Sequence, residues 1–186
     1  MLEPDAAAKR LVLLKEAVPG VARVGLLFGP VGQWFHDQVA QEAQAAARTL
    51  RLTVQIVQVR AAADLDSVFG ALADGRADAI MLTADAFTIA NRERLAILAV
   101  KHRWPTVCDL RSFVEAGCLM SYGADVNALS RRAAFYVDRI LKSAKPNDLP
   151  IEQPTKFDLA MNSRTAKALG LTIPASLLLR ADQVIE

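Results

Sequence analysis

Residues 22–50 show the clearest change of hydrophobic period in the chain. Residues 23–28 form a short apolar run, Gly29 and Pro30 interrupt it, and residues 35–50 then place apolar side chains at helical spacing. An apolar run without polar alternation is typical of a strand that is buried on both faces. The stretch therefore predicts a strand, a loop and a crossover helix in a parallel sheet that helices cover.

The alternation of strand and helix patterns continues to residue 109. We expect helices at 6–18, 64–73 and 89–103, and strands at 52–59, 79–83 and 105–108, with 52–59 near the sheet edge and 85–87 as a loop. Such short connections favour right-handed crossovers within one sheet. The pattern predicts an α/β protein with three α/β/α layers and a mainly parallel sheet.

The pattern changes after Leu110. A one-turn helix at 112–117 and a strand at 118–122 precede a long helix at 126–142, for which Asp125 is the expected cap. A Pro-rich connection at 145–150 leads to an extended segment at 151–161, a helix at 163–169 ended by Gly170, and a terminal helix at 175–184. We divide the chain into an N-terminal helix (1–21), a parallel α/β lobe (22–109), and crossing segments with C-terminal elements (110–186) that pack on the lobe or on a second chain.

Composition narrows the functional classes. Hydrophobic residues make up 53% of the 186 residues and charged residues 23%, which excludes a disordered chain. The net charge of +2 and the scattered basic residues argue against nucleic-acid binding. Cys108 and Cys118 do not have the spacing of a zinc site, and their pairing is not readable from sequence. Without an apolar run of about 18 residues or a signal peptide, the chain is either cytosolic or an exported protein whose leader has been removed.

Candidate ligand contacts follow the predicted strands, because open parallel sheets bind ligands at the carboxyl ends of their strands. Trp34 and Phe87 would stack on a flat solute, Asp85 would accept an ammonium group, and Arg111 would pair with a carboxylate. The alternatives are a helix cap for Asp85 and core packing for the two aromatic residues. The residues at these ends that we select as ligand-binding are Gly29, Gln33, Trp34, Thr83, Asp85, Phe87, Asp109 and Arg111.

An enzymatic function has little support in the sequence, and we expect no cofactor or metal. The chain lacks a phosphate-binding glycine loop, a nucleophile elbow and an HExxH motif. His36 and His102 fall on predicted helices without a nearby nucleophile, so we interpret both as surface or helix-end histidines. Cys108 precedes Asp109, but we interpret it as a buried structural cysteine because no histidine is placed to activate it.

Several segments closely resemble the ABC-transporter substrate-binding protein family. They are GCLMSYG (117–123), YVDRILK (136–142), AKPNDLP (144–150), EQPTKF (152–157) and KALGLTIP (167–174). The resemblance implies the type 1 periplasmic binding fold, a small solute clamped between two lobes, an ABC permease as partner, and a periplasmic location. Some members of this family bind amino acids, aromatic ones included, and the resemblance also implies Tyr122 as a ligand-binding residue.

The resemblance departs from the family at the start of the chain. Members look longer, with a signal peptide and most of a first lobe ahead of the matching part, so this chain resembles their C-terminal portion. The apolar stripe at 126–144 would then lack its usual packing partner, and we expect a homodimer through this helix. Two alternatives remain, namely an intracellular ligand-sensing domain of the same fold and a small α/β enzyme.

Overall fold

The computed structural model describes residues 4–30, 32–154 and 156–186, with backbone only for Pro4, Asp5 and Gln33. Its helices are α1 (Pro4–Ala17), α2 (Gln33–Leu50), α3 (Leu65–Asp74), α4 (Ala86–Ala90), α5 (Arg92–Lys101), α6 (Arg111–Glu115), α7 (Val126–Leu141), α8 (Ser163–Leu169) and α9 (Ala175–Leu178). Its strands are β1 (Arg23–Phe28), β2 (Thr53–Gln58), β3 (Ala79–Leu82), β4 (Thr106–Cys108), β5 (Met120–Ala124), β6 (Phe157–Asn162) and β7 (Gln183–Ile185).

The described strands form one seven-stranded sheet in the order β2-β1-β3-β4-β5-β6-β7. Strands β1 to β5 are parallel to their neighbours, β6 is antiparallel to β5, and β7 is parallel to β6. The predicted mainly parallel sheet is confirmed, and β2 lies at its edge as expected. The sheet continues past residue 109, because β5, β6 and β7 extend it on the side of β4.

Helices cover both faces of the sheet, which confirms the three α/β/α layers. Successive residues of β1 point to opposite faces, with Leu26 in the core beneath α1 and α2 and Leu27 in the core beneath α3 and α5. Both side chains are fully buried. The apolar run that predicted a strand buried on two faces therefore has a direct structural cause.

Helix α7 is the element that packs least on this body. The chain leaves the sheet after β5 and returns at β6, and the Asp125 N–H donates to Lys156 O over 3.2 Å where the two ends meet. Asp125 caps α7 as predicted, with its carboxylate accepting from Ala128 N at 2.9 Å. No residue of α7 is buried, so the predicted apolar stripe is not covered by the described part of the chain.

Two predicted helices differ in the structure. The helix expected at 89–103 begins at Ala86, directly after its cap Asp85, and is divided at Asn91 into α4 and α5. The predicted loop at 85–87 is therefore wrong. The terminal helix expected at 175–184 ends at Leu178, because the chain turns to add β7 to the free edge of β6, where Asp182 N donates to Leu159 O over 2.8 Å.

Candidate functional site

The carboxyl ends of β1, β3, β4 and β5 bring predicted site residues from distant parts of the sequence to one edge of the sheet. The ladder pairs Leu27 with Leu82, Leu82 with Cys108 and Cys108 with Ser121. The residue that follows on each strand again lies beside its counterparts on the neighbouring strands. Side chains that lie side by side across parallel strands point to the same face of the sheet. The row that these residues form consists of Phe28, Thr83, Asp109 and Tyr122.

A cavity of about 410 Å³ lies at this edge, between the sheet and three helices. Most of its lining is apolar, and its charged residues are Arg10, Glu42 and Asp109. The lining residues come from α1 (Ala7, Arg10), α2 (Phe35, Val39, Glu42), the strand ends (Ala84, Asp109, Leu110, Gly123, Ala124) and α7 (Val126, Leu129). Ligand sites commonly combine a mainly apolar wall with a few polar groups in this way.

Asp109 is the predicted site residue that lines this cavity. Its Oδ2 accepts the Ala84 N–H at 2.8 Å, whereas its buried Oδ1 has no hydrogen-bond partner among the described residues. Burial raises the pKa of Asp109, while the charge of Arg10 and the Ala84 N–H oppose that shift. The surroundings of this carboxyl group therefore favour its neutral form more than water does.

Arg10 is the cavity residue that the sequence interpretation missed. Only 6% of it is exposed, and its Nε donates to the backbone oxygen of Tyr122 over 2.8 Å. A signal was available, because the positions three and four residues away on α1 are all apolar: Ala6, Ala7, Leu13 and Leu14. An arginine in the middle of an apolar helix face points into the protein rather than to solvent.

Asp85 connects two loops at the same edge. Its Oδ2 accepts the Gly29 N–H at 2.7 Å, and its Oδ1 accepts the Thr88 N–H at 2.8 Å and so caps α4. A Cβ at Gly29 would lie 2.5 Å from Oδ1, so this close approach requires glycine. The helix-cap alternative therefore describes Asp85, and both of its oxygens are already hydrogen-bonded.

His36 lies in the first turn of α2, at a helix end as its sequence context indicated, but it is not at the surface. The residue is 3% exposed, and its ring stacks on Phe28 with the centroids 4.3 Å apart. Its Nε2 lies 3.8 Å from Asp85 Oδ2 and has no hydrogen-bond partner in the described structure. Burial lowers the pKa of His36, although the charges of Asp85 and Asp37 oppose that shift. The imidazole is buried because the first turn of α2 packs against β1.

The two predicted aromatic contacts lie away from the cavity lining. Trp34 is 66% exposed on α2, one residue before the cavity-lining Phe35. Phe87 lies in the first turn of α4 and packs on the core beneath α3 and α5. Their stacking on a solute stays a prediction.

The remaining predicted residues are scattered around the cavity. Arg111 begins α6, is exposed, and pairs with Glu115 at 3.2 Å. It lines an adjoining cavity of about 210 Å³, which shares Asp109 and Leu110 with the first. Tyr122 stacks on Phe157 with the centroids 5.5 Å apart and packs on the core. The hydroxyl of Thr83 is buried without a hydrogen-bond partner in the described structure, and the side chain of Gln33 lies outside the described part of the chain.

The two cysteines are buried thiols, and the described residues form no metal centre. Cys108 and Cys118 are free and buried, and burial together with the contact between them raises the pKa of the Cys108 thiol well above its ordinary value. A thiol with a raised pKa is a poor nucleophile. No cluster of three or more His, Cys, Asp or Glu side chains in the described ranges is arranged to hold a metal ion.

A family model of ABC transporter substrate binding proteins matches residues 3–185. The chain belongs to this family. The recognition made from sequence is thereby confirmed over nearly the whole length of the chain. None of the curated proteins compared with it matches. No helix in the described parts of the chain is both long and apolar enough to cross a membrane.

Solved structures agree with the family assignment. A conserved domain protein from Vibrio cholerae O1 biovar El Tor strain N16961 is 26% identical, with a TM-score of 0.85 over 96% of this chain and 60% of that one. The ABC domain from Streptococcus pneumonia, solved in complex with L-Trp, is 27% identical, with a TM-score of 0.85 over 97% of this chain and 62% of that one. The chain therefore spans less than two thirds of the length of these solved chains.

A third structure supports the fold alone. The ligand-free, open structure of a substrate binding protein with adhesive properties from Clostridium difficile is 19% identical, with a TM-score of 0.73. It matches 97% of this chain and 60% of that one.

Proposed function

We propose that this substrate-binding protein is the solute-binding component of an ABC import system, and that its solute is an amino acid. The solute binds in the 410 Å³ cavity at the carboxyl ends of β3, β4 and β5. The protein binds and releases this solute without converting it, acts in the periplasm, and hands it to an ABC permease. The family membership supports the binding role and the permease partner.

The observation that carries the amino-acid proposal is the charge pattern of the cavity. Arg10 and Asp109 bring opposite charges to one largely apolar space. A free amino acid also carries opposite charges next to a side chain that gains from apolar contact. The 27% identical ABC domain in complex with L-Trp supports an aromatic amino acid, and Phe35, Val39 and Leu110 offer the apolar wall that an indole ring requires.

Calorimetric titration of the chain with the twenty L-amino acids, L-tryptophan first, tests this proposal after bound solute is removed by unfolding and refolding. We expect saturable binding of one or a few amino acids and a concentration-dependent rise in Tm. A solute at 100 times its Kd adds about 2.7 kcal/mol to the free energy of unfolding. The absence of binding by every amino acid would reject the proposed solute class.

Two neighbouring aromatic residues on α2 provide a matched test of the cavity. Phe35 lines the cavity, whereas Trp34 is exposed beside it. We expect Phe35→Ala to weaken amino-acid binding about 10-fold or more, because burying a large apolar side chain is worth about 1.5–3 kcal/mol. Trp34→Ala should change the Kd less than twofold, because the proposed site leaves this side chain outside the cavity. A larger loss would support the stacking contact that the sequence predicts. The reverse result would place the solute outside this cavity.

The import role needs a separate measurement in cells. Deletion of the gene should reduce uptake of the labelled amino acid that the purified protein binds, and the restored gene should recover it. Unchanged uptake alongside tight binding would favour the ligand-sensing alternative.

A further inference from the structure

We propose that Arg10 is the carboxylate receptor of the cavity and that it binds the solute's carboxylate through its two Nη groups. The inference rests on the proposed function only in taking a solute to occupy this cavity. It assigns the role to a residue of α1, whereas the sequence pattern indicated Arg111.

The orientation of the Arg10 guanidinium is fixed by the sheet. Its Nε donates to the carbonyl oxygen of Tyr122 over 2.8 Å, near the carboxyl end of β5. Helix α1 packs against α2, β4 and β5, so the base of the side chain is held as well. A guanidinium anchored through Nε presents its remaining N–H groups in a fixed planar fork, which suits a carboxylate.

Among the described residues, the outer part of the Arg10 guanidinium has no hydrogen-bond or ion-pair partner. The hydrogen bond to Tyr122 is the one that Arg10 gives to the described residues. Asp109 lies near enough for the Arg10 charge to lower its pKa, yet the described contacts contain no ion pair between them. Arg10 is 6% exposed and contacts no anion among the described residues, which is unfavourable for a charge, and a bound carboxylate removes that cost.

The surrounding charges narrow the class of carboxylate. The carboxyl group of Asp109 lines the same cavity as Arg10, so a second negative charge on the solute would be repelled when Asp109 is ionised. An ammonium group beside the carboxylate would instead be attracted. The apolar lining, with Phe35 and Val39 on α2, favours a solute with an uncharged apolar body. The cavity therefore fits an α-amino acid with an apolar side chain better than a dicarboxylate.

Arg111 provides a matched control. It is an exposed arginine at the same sheet edge, it pairs with Glu115 at 3.2 Å, and it lines the neighbouring 210 Å³ cavity instead. Replacing it removes one positive charge from the same region without touching the proposed receptor. Arg10→Gln removes the charge and the fork, and Arg10→Lys keeps the charge without the fork.

Titrations with L-tryptophan and L-tryptophanamide, which lacks the carboxylate, test the inference. We expect the wild-type chain to bind the amide about 10- to 100-fold more weakly than the acid, the range for a charge-assisted hydrogen-bonded pair. Arg10→Gln should lose the same factor for L-tryptophan and bind the amide as the wild type does. The affinity of Arg10→Lys for L-tryptophan should fall between those of the wild type and Arg10→Gln. Arg111→Gln should bind both compounds as the wild type does.

The results separate this inference from the amino-acid proposal. Equal losses for acid and amide in Arg10→Gln, or equal affinity of the wild type for both, would overturn the role of Arg10 while amino-acid binding stands. Binding of indole-3-propionate but of no amino acid, with the same Arg10 dependence, would retain the role and reject the amino-acid class. Failure of the wild type to bind any carboxylate-bearing probe would overturn the inference. Tm values without solute show whether each variant is folded.

Discussion

The backbone N–H of Gly29 donates to Oδ2 of Asp85 over 2.7 Å, although 56 residues separate the two in sequence. This contact joins the loop after β1 to the start of α4. The other carboxylate oxygen caps α4 through Thr88 N, and His36 Nε2 approaches Oδ2 to 3.8 Å. One carboxylate thus orders two loops at the edge of the sheet behind the cavity.

The first prediction concerns this contact. Gly29→Ala would put a Cβ 2.5 Å from Asp85 Oδ1, so the loop and the cap of α4 must separate. We expect the free energy of unfolding to fall by about 1–3 kcal/mol, the cost of a lost buried hydrogen bond and cap. Urea unfolding followed by circular dichroism measures the change.

Gly70→Ala is the matched control for the loss of a glycine. Gly70 lies within α3, and a Cβ there would meet nothing within 4 Å. Alanine in a helix interior is favoured over glycine by about 1 kcal/mol, so this variant should be more stable than the wild type. If Gly29→Ala were as stable as Gly70→Ala, the tight approach of Gly29 to Asp85 would not exist in solution.

The second prediction concerns the raised pKa of Asp109. In the unfolded chain this carboxyl titrates near its ordinary pKa of about 3.9, whereas burial keeps it protonated to higher pH in the folded protein. The folded state therefore binds more protons in that window, and the stability that Asp109 contributes is lost as pH rises through the folded pKa. Asp109→Asn removes this dependence and keeps an acceptor for the Ala84 N–H.

We therefore expect the free energy of unfolding of the wild type to improve relative to Asp109→Asn as pH falls from 7 towards 4. At pH 7 the variant should be at least as stable as the wild type. Urea unfolding at several pH values measures both. If the two proteins differed in free energy of unfolding by the same amount at every pH, favourable contacts would fully offset the effect of burial on the Asp109 carboxylate.

Most of the fold was readable from local pattern because the strands of a parallel sheet are buried on both faces. The run at 23–28 matches β1 exactly, and Ser163–Leu169 with Gly170 matches α8 and its left-handed cap. One of the errors falls where a distant element decides the local structure. β7 exists because β6 has a free edge, and no pattern within residues 175–184 reports that edge.

The site was less readable than the fold for the same reason. The strand-end rule located Asp109 correctly beside the cavity, since it depends only on where a strand ends. Arg10 and His36 are buried by packing of α1 and α2 onto the sheet, and charged or polar side chains at such positions resemble surface residues in sequence. Arg111 also follows a strand end, but it pairs with Glu115 and does not line the 410 Å³ cavity, so its contact with a carboxylate stays a prediction.

The third prediction uses the buried imidazole. Burial lowers the pKa of His36 in the folded protein, against the opposing charges of Asp85 and Asp37. Below about pH 6.5, the ordinary pKa of histidine, the unfolded chain takes up a proton that the folded chain resists. The stability present at neutral pH is therefore lost as pH falls through this range. His36→Gln should lose less stability than the wild type between pH 7 and pH 5.5 in urea unfolding.

His102→Gln controls for the loss of a histidine as such, because the chain contains two histidines. His102 lies at the end of α5 and stacks on Trp104 with the centroids 4.6 Å apart. This variant should retain the part of the pH dependence that comes from His36. If both variants had the wild-type slope, the burial of His36 would not be coupled to proton binding.

The fourth prediction concerns the apolar face of α7. Val137 and Ile140 are 56% and 42% exposed on a helix without a buried residue, and exposed apolar faces of this kind are usually covered by another surface. The homodimer expected from sequence stays a prediction, and sedimentation velocity tests it. The chain should show a concentration-dependent dimer that Val137→Ser with Ile140→Ser converts to monomer.

Ile97→Ser on α5, where a single isoleucine is 67% exposed, should leave the dimer intact. A monomer at all concentrations would show that a second copy does not cover α7, which leaves its face for a different surface, such as further chain of a longer protein.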